Sequence, residues 1–143
     1  MELSVHDNIL YEFSMFPSTT PRRYTIVLFT EYPVETSPEY TDVIFEDVLA
    51  HYFTRDTPDS ILFDIRENYE TIATIIDSHA KLFQTTKTQC WPVAYSDRDD
   101  LLAQVAAARV NTYTIMPTMG LDGWVWATSM RVASRKNRKV FSD

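Results

Sequence analysis

The stretch that decides the fold of this chain is YTDVIFEDVLAHYFTRDTPDSILFDIRE, residues 40–67. Its apolar and polar residues alternate with a period of two, which is typical of strands with one buried face. The alternation predicts three extended runs, Thr41–Phe45, Val48–Phe53 and Ser60–Arg66. The segment RDTPDS before the last run predicts a turn, because Pro, Asp and Ser favour turn conformations.

Strict alternation breaks at Glu46-Asp47 inside this stretch. The apolar residues on either side differ by an odd number of positions; they are Val43 with Phe45, and then Val48 with Ala50 and Tyr52. A one-residue offset would send the second set to the opposite face of the sheet. A β-bulge or a tight turn at Glu46-Asp47 would account for the break.

The flanking sequence adds further strands. Ile9–Phe16 and Tyr24–Tyr32 precede the decisive stretch, and the second of these is rich in β-branched and aromatic residues. Thr112–Met116 and Trp124–Val132 follow it near the end of the chain, joined by a segment that contains both glycines. The chain is therefore predicted to hold strands at both ends of its sequence.

Helical periodicity occupies the interval between residues 67 and 112. Apolar residues spaced by three and four predict a first helix of about four turns from Tyr69 to Phe83. A second helix is predicted to begin near Ser96 or Asp97, where Ser96 and Asp99 resemble a capping box. Its predicted core-facing residues are Leu101, Leu102, Val105 and Ala108.

The resulting order, four strands, two helices and two strands, is typical of an α+β fold. Runs of strands followed by helices favour a mostly antiparallel sheet, here with two helices inserted before the last two strands. Helices packed on one face of the sheet would leave its other face more exposed to solvent. We expect a single domain over residues 1–134 and a basic, frayed tail over residues 135–143.

The charge distribution bears on partners. The chain has 143 residues and a net charge of −7, but residues 1–130 hold 8 basic and 19 acidic side chains, a net of −11. Such an acidic body repels phosphate backbones, so a nucleic-acid role is disfavoured. It suits a basic protein partner, although the same charge would also serve solubility alone.

Few motifs restrict the chemistry. Gly120 and Gly123 are the two glycines, which argues against a glycine-rich phosphate loop, and no motif predicts a cofactor or a metal site. The single cysteine, Cys90, has no internal disulfide partner and reads as a small buried hydrophobe. The first residues lack a basic region followed by a long apolar run, so we expect no signal peptide. The sequence has no apolar run of about 20 residues, so a soluble cytoplasmic protein without membrane contact is expected.

His51 and Asp64 are the candidate acid–base residues. His51 alternates with Leu49 and Phe53 on a half-buried face, and Asp64 lies on the next predicted strand. A His-Asp pair there could act as a general base. The alternative is a cross-strand hydrogen bond that only holds the sheet together.

Trp124 and Trp126 are the candidate contact residues. They are two apart on a predicted strand, so they share a face, with Val125 opposite. They could line a ligand pocket or a partner surface, since tryptophan is a frequent anchor of binding sites. Core packing is the alternative, because each ring buries a large apolar area.

Several motifs carry a resemblance. TDVIFEDVLAHYF, SILFDIRE, CWP and GLDGWVWATSM, with an early HDN, resemble a family of small uncharacterised bacterial proteins over residues 6 to about 130. That resemblance implies no activity or site residue. In general type the chain is also similar to immunity proteins that neutralise bacterial toxins: small, acidic, cytoplasmic and single-domain.

These observations favour a protein-binding module, with an immunity-like inhibitor of a basic partner as its specific form. Two alternatives stay open. One is a homo-oligomeric structural protein that pairs through an exposed strand edge. The other is a small ligand-binding or enzymatic domain that uses His51 and Asp64.

Overall fold

The structure is a computed structural model that describes residues 5–33, 37–54, 60–79 and 95–139. These residues form six strands and two helices in one continuous arrangement. The strands are β1 (Ile9–Pro17), β2 (Tyr24–Tyr32), β3 (Glu39–Thr54), β4 (Ser60–Glu67), β5 (Asn111–Met119) and β6 (Asp122–Arg135); the helices, α1 (Ile72–Ser78) and α2 (Arg98–Ala107), lie between β4 and β5.

The six strands close into an antiparallel barrel in the order β1-β2-β3-β6-β5-β4. The mostly antiparallel sheet with helices is thus confirmed over the described residues. We expected the sheet face opposite the helices to be more exposed to solvent, and this is wrong, because the sheet closes and that face becomes the interior of the barrel. Closure depends on a short ladder in which Ile9 pairs with Ile61 and Leu10 with Ser60.

The interior of the barrel is filled with apolar side chains, which we call the barrel core. Every strand contributes to it, and the fully buried members include Ile26, Leu28, Val43, Phe45, Leu62, Ile115 and Val125. Each such side chain contributes roughly 1.5–3 kcal/mol through burial of apolar area. The filled interior explains why one barrel can be stable with few helices.

A second apolar cluster, the helical layer, lies between the outside of the barrel and the two helices. The helices contribute Ile75, Ile76, Leu101 and Val105 to it, and Leu102 and Ala108 pack against its edge. All four residues predicted to face the core from the second helix therefore do so. Strands β3 and β6 supply the opposing surface, so these two strands are apolar on both faces.

Strand β3 continues through Glu46-Asp47, and two β-bulges account for the break in its apolar–polar alternation. On the β2 side the register shifts between the pairs Tyr24–Val48 and Ile26–Phe45, and Asp47 has a φ of +49°. On the β6 side the register shifts between Val48 and Ala50. Val48 thereby joins the barrel core, whereas Ala50 faces the helical layer, so the prediction that these two share a face is wrong.

The helices begin close to their predicted starts. Asp97, rather than Ser96, is the N-cap of α2 and accepts a hydrogen bond from the Asp100 backbone N–H at 2.9 Å. Asp100 in turn accepts from the Ser96 N–H at 2.8 Å, so it reaches back to the residue before the N-cap and not to the N-cap itself as in a capping box.

Helix α1 ends at Ser78, short of the predicted four turns, and the rest of that prediction lies outside the described residues, as does Cys90. No helix in the described part of the chain is long and apolar enough to cross a membrane.

The β5–β6 hairpin depends on Gly123. Its φ is +154°, and a Cβ there would overlap the carbonyl oxygen of Tyr52 on β3. We expect Gly123→Ala to lower the free energy of unfolding by about 2–4 kcal/mol, because backbone strain and a steric clash add together. Urea unfolding measures the change.

Thr118→Ala is the matched control, since Thr118 is an exposed residue of the same hairpin. It should shift the free energy of unfolding by less than about 0.5 kcal/mol. Equal stability of Gly123→Ala and the wild type would contradict the close approach of this hairpin to Tyr52.

Candidate functional sites and interaction surfaces

His51 lies on β3 and shares a hydrogen bond with a residue that sequence reasoning did not identify. Its Nδ1 is 2.6 Å from the Oη of Tyr24, the first residue of β2. Burial lowers the pKa of the His51 imidazole and raises the pKa of the Tyr24 hydroxyl. Both shifts favour the uncharged forms, so the pair is a neutral hydrogen bond in an apolar setting.

Aromatic rings surround this pair. The His51 ring centroid lies 4.7 Å from that of Phe53 and 5.6 Å from that of Tyr24, and Phe53 meets Phe13 edge-on at 5.5 Å. Tyr24, Phe13 and Phe53 also pack against the barrel core. Because Nδ1 is engaged and formation of a tyrosinate is disfavoured, the arrangement suits a structural closure of the barrel better than proton transfer.

The structure does not bring Asp64 to His51. Asp64 lies on β4, and β3 and β4 occupy opposite positions in the closed six-strand order. The Asp64 carboxylate pairs with Arg66 at 3.0 Å, with its side chain 45% exposed. The His-Asp general base is therefore wrong, and the alternative of a cross-strand hydrogen bond applies to His51 with Tyr24 as its partner.

Trp124 and Trp126 belong to the helical layer. Their ring centroids are 4.4 Å apart, both are buried, and Val125 between them points into the barrel core. The prediction that the two tryptophans share a face of the strand is confirmed. Their position in an apolar cluster agrees with the core-packing alternative. Tyr52 and His79 extend the group, with the His79 ring 6.0 Å from Trp124 and 4.9 Å from Tyr52.

The helical side of the molecule carries an excess of negative charge. Residues 64–79 and 95–100 hold seven acidic side chains and two arginines, a net of −5. We call the exposed and half-buried carboxylates of residues 67–77 and 97–100 the acidic face; its members are Glu67, Glu70, Asp77, Asp97, Asp99 and Asp100. No single sequence motif marks it, because folding brings its two segments together.

Arg98 joins the two halves of the acidic face. Its guanidinium lies 2.7 Å from Asp77 of α1 and 3.6 Å from Asp99 of its own helix. The hydrogen bond from Arg98 lowers the pKa of Asp77, and the Ser96 N–H lowers the pKa of Asp100. These carboxylates therefore stay ionised well into the acidic range, which keeps the surface negative.

The basic C-terminal segment is bound to the barrel. Arg135 is the last residue of β6, so the predicted domain boundary after residue 134 falls inside a strand. We call residues 135–139 the C-terminal strap. The Arg135 guanidinium donates to both carboxylate oxygens of Asp42 at 2.6–3.1 Å, and Arg138 donates to Glu31 at 2.9 Å.

Aromatic rings complete the contacts of the strap. Arg138 lies over the Tyr11 ring at 4.0 Å, Lys139 and Arg135 lie over Phe29 at 5.2 and 5.4 Å, and the Lys139 N–H donates to Tyr11 Oη at 2.9 Å. Arg138 is 51% exposed and Glu31 is 20% exposed, so solvent screens their pair from the Arg138 side. Screened ion pairs contribute about 0–1 kcal/mol and exposed cation–π contacts about 0.5–1 kcal/mol. The strap beyond Arg135 is therefore ordered but weakly held.

The sequence offered one signal for the strap. Glu31 and Asp42 are each flanked by apolar and threonine residues within their strands, and a buried or half-buried carboxylate needs a cation. The identity of that cation follows only from the β3–β6 register, which pairs Tyr40 with Arg135.

No family model, curated protein or solved structure matches this chain. Within the described residues, no three His, Cys, Asp or Glu side chains come together in a group that could hold a metal ion.

The buried His51 predicts a pH dependence of stability. Because its folded-state pKa is lowered from the ordinary 6.5, the unfolded chain binds more protons below that pH. We expect the free energy of unfolding to be fully retained above about pH 6.5 and to decrease as the pH falls below it. His51→Gln should remove this part of the slope, as measured by urea unfolding between about pH 8 and about pH 5.

Tyr24→Phe provides the control for this experiment. It removes the hydroxyl but leaves His51 buried, so it should lose about 1 kcal/mol at every pH while keeping the histidine-dependent slope. An unchanged slope in His51→Gln would contradict the assignment, since the carboxylates titrate alike in both proteins.

Proposed function

We propose that this protein is a binding module for a basic protein partner, and that the acidic face is its docking surface. The observation that carries the proposal is the segregation of charge. The segments that form the acidic face have a net charge of −5, whereas residues 131–139 hold five basic side chains and no acidic one. Opposite charges concentrated on different segments give the protein a directional field.

A directional field favours association with a partner of positive charge. Electrostatic steering raises association rates and is screened over about 8–10 Å at physiological ionic strength. Binding to the acidic face should therefore slow steeply as salt rises. This behaviour separates the proposed role from a charge that serves only solubility.

An exposed aromatic residue beside the acidic face supports the proposal. Tyr69, which is 58% exposed, precedes Glu70 and has the guanidinium of Arg66 at 5.2 Å from its ring. Tyrosine and arginine are enriched among the residues that dominate binding energy in protein interfaces. These side chains supply apolar contact area where carboxylates alone would give only long-range attraction.

The specific form that we propose is an immunity-like inhibitor, acting in the cytoplasm of a bacterium on a basic toxin. Its support is the combination of an acidic face with a barrel whose core is filled by its own side chains. A filled core leaves the chemistry of the protein on its outer surface, as expected of an inhibitor that acts by covering another protein.

The proposal can be tested by reversing charges on the acidic face. Asp99→Lys with Glu67→Lys changes two exposed carboxylates there, and Glu39→Lys with Asp122→Lys makes the same charge change on exposed residues elsewhere. We expect tagged wild-type protein to retain a basic protein from a lysate of the organism that encodes it, more at low than at physiological salt. Quantitative mass spectrometry of the bound fraction identifies this protein.

The acidic-face variant should lose most of this bound protein, and the control variant should retain it. An equal loss by both variants would show that net charge, and not the acidic face, governs binding. Full retention by the acidic-face variant would show that the acidic face is not the docking surface. Recovery of no basic protein by the wild type at low salt would count against the proposed function altogether.

A second candidate function, self-association, is favoured by the edge of β1. Among the described residues, β1 pairs with β4 only through Ile9 and Leu10, so residues 11–17 have ladder partners only on β2. Met15 and Phe16 on this edge are exposed, and exposed apolar edges are templates for strand pairing.

Light scattering coupled to size exclusion tests the edge. If the edge pairs two copies, the protein should run as a dimer, and Phe16→Lys should convert it to a monomer while Tyr32→Lys, at an exposed aromatic position on β2, should not. A monomer at about 100 μM would exclude self-association through this edge at concentrations where weak dimers form.

A further inference from the structure

The outer face of β1, β2 and β3 carries aromatic and acidic side chains close together. We call this surface the platform, and its members are Tyr11, Phe29, Glu31, Tyr40 and Asp42. The register places Phe29 beside Asp42 and Glu31 beside Tyr40, and ladder partners point to the same face. The Tyr11 ring lies 6.4 Å from Phe29 and 6.5 Å from Tyr40.

A surface that combines carboxylates with ring faces matches the chemistry of a guanidinium. Arginine forms directed hydrogen bonds to carboxylates and stacks on aromatic rings, which lysine does less well. The chain itself demonstrates the match. The Arg138 guanidinium donates to Glu31 at 2.9 Å while it lies over the Tyr11 ring at 4.0 Å. We call Glu31 and Tyr11, which together bind this guanidinium, the Arg138 seat.

The strap can leave the seat without disturbing the barrel. Arg138 is half-exposed and follows the end of β6, so no ladder hydrogen bond depends on it. Arg135, in contrast, belongs to β6 and pairs with Asp42, whose side chain is only 10% exposed. The strap is therefore fixed at Arg135 and weakly bound beyond it, which is the arrangement of a segment that a competitor can displace.

We propose that the Arg138 seat is a binding site for an arginine side chain of the basic partner, and that the strap occupies this seat until the partner displaces it. The inference rests on the proposed function, because it requires a partner of positive charge. It adds a residue-level preference for arginine over lysine. It also gives the strap a regulatory role, since a bound strap lowers the apparent affinity for the partner.

A labelled hexa-arginine peptide tests the seat with the full-length protein. Arg138→Ala empties the seat, and Arg131→Ala is the matched control, because Arg131 also pairs with a glutamate on the barrel, Glu46 at 2.8 Å, but lies outside the seat. Both variants remove one positive charge. Fluorescence anisotropy at low salt should show that Arg138→Ala binds hexa-arginine about fivefold more tightly than Arg131→Ala.

Two further comparisons sharpen the result. Adding Tyr11→Leu to Arg138→Ala should abolish the gain, because the ring face is lost, and hexa-lysine should show a smaller gain than hexa-arginine. Equal binding of hexa-arginine by Arg138→Ala and Arg131→Ala overturns the seat. So does a gain that is as large for hexa-lysine, since that gain reflects charge alone.

The seat and the proposed function can fail separately. If a basic partner is captured in an acidic-face-dependent manner but Arg138→Ala gains nothing over Arg131→Ala, the docking surface stands and the seat is wrong. If Arg138→Ala gains affinity for hexa-arginine but no basic protein is captured from the lysate, the seat stands as an arginine site and the proposed function is wrong.

Discussion

The pairing of β3 with β6 is the interaction on which the rest of the structure depends. Its ladder runs from Tyr40–Arg135 to Thr54–Asp122. Over part of its length, each of the two strands also pairs with a further strand along its other edge. The first part of β3 also pairs with β2, and the first part of β6 also pairs with β5. This ladder therefore joins the two halves of the chain, and the α1 and α2 helices pack on the part where both strands are apolar on each face.

Much of this architecture could be predicted because it is encoded locally. The predicted bounds of β2, Tyr24–Tyr32, agree with the structure, since a run of β-branched and aromatic residues between loops leaves little choice. The bulge at Glu46-Asp47 was predictable from the break in apolar–polar alternation alone. The second bulge, between Val48 and Ala50, was not, because it depends on the register with β6, which lies more than 70 residues further along the chain.

Closure of the barrel could not be predicted from the sequence. It depends on Ile9 and Leu10 meeting Ser60 and Ile61, and none of these residues carries a signal that distinguishes a closing strand from an edge strand. The same limit applies to the candidate site. His51 was correctly placed on a half-buried strand, but its partner is Tyr24, 27 positions away, and a tyrosine in a strand is an ordinary residue until the register is known.

The arrangement of charge follows from the sequence and the structure together, and from neither alone. Composition shows that the acidic body and the basic terminus differ in sign, and the β3–β6 ladder determines where they meet. Because β6 carries the strap back to Glu31 and Asp42, the basic end neutralises carboxylates of the barrel. Among the described residues of the helical side, Arg98 is the cation that pairs with Asp77 and Asp99. Under the proposed function, a cationic partner is attracted first to the acidic face, because the two guanidinium groups of the strap are paired with barrel carboxylates. Under the same proposal, an arginine of that partner reaches Glu31 only after Arg138 has left it, so attraction and displacement are two separate steps of binding.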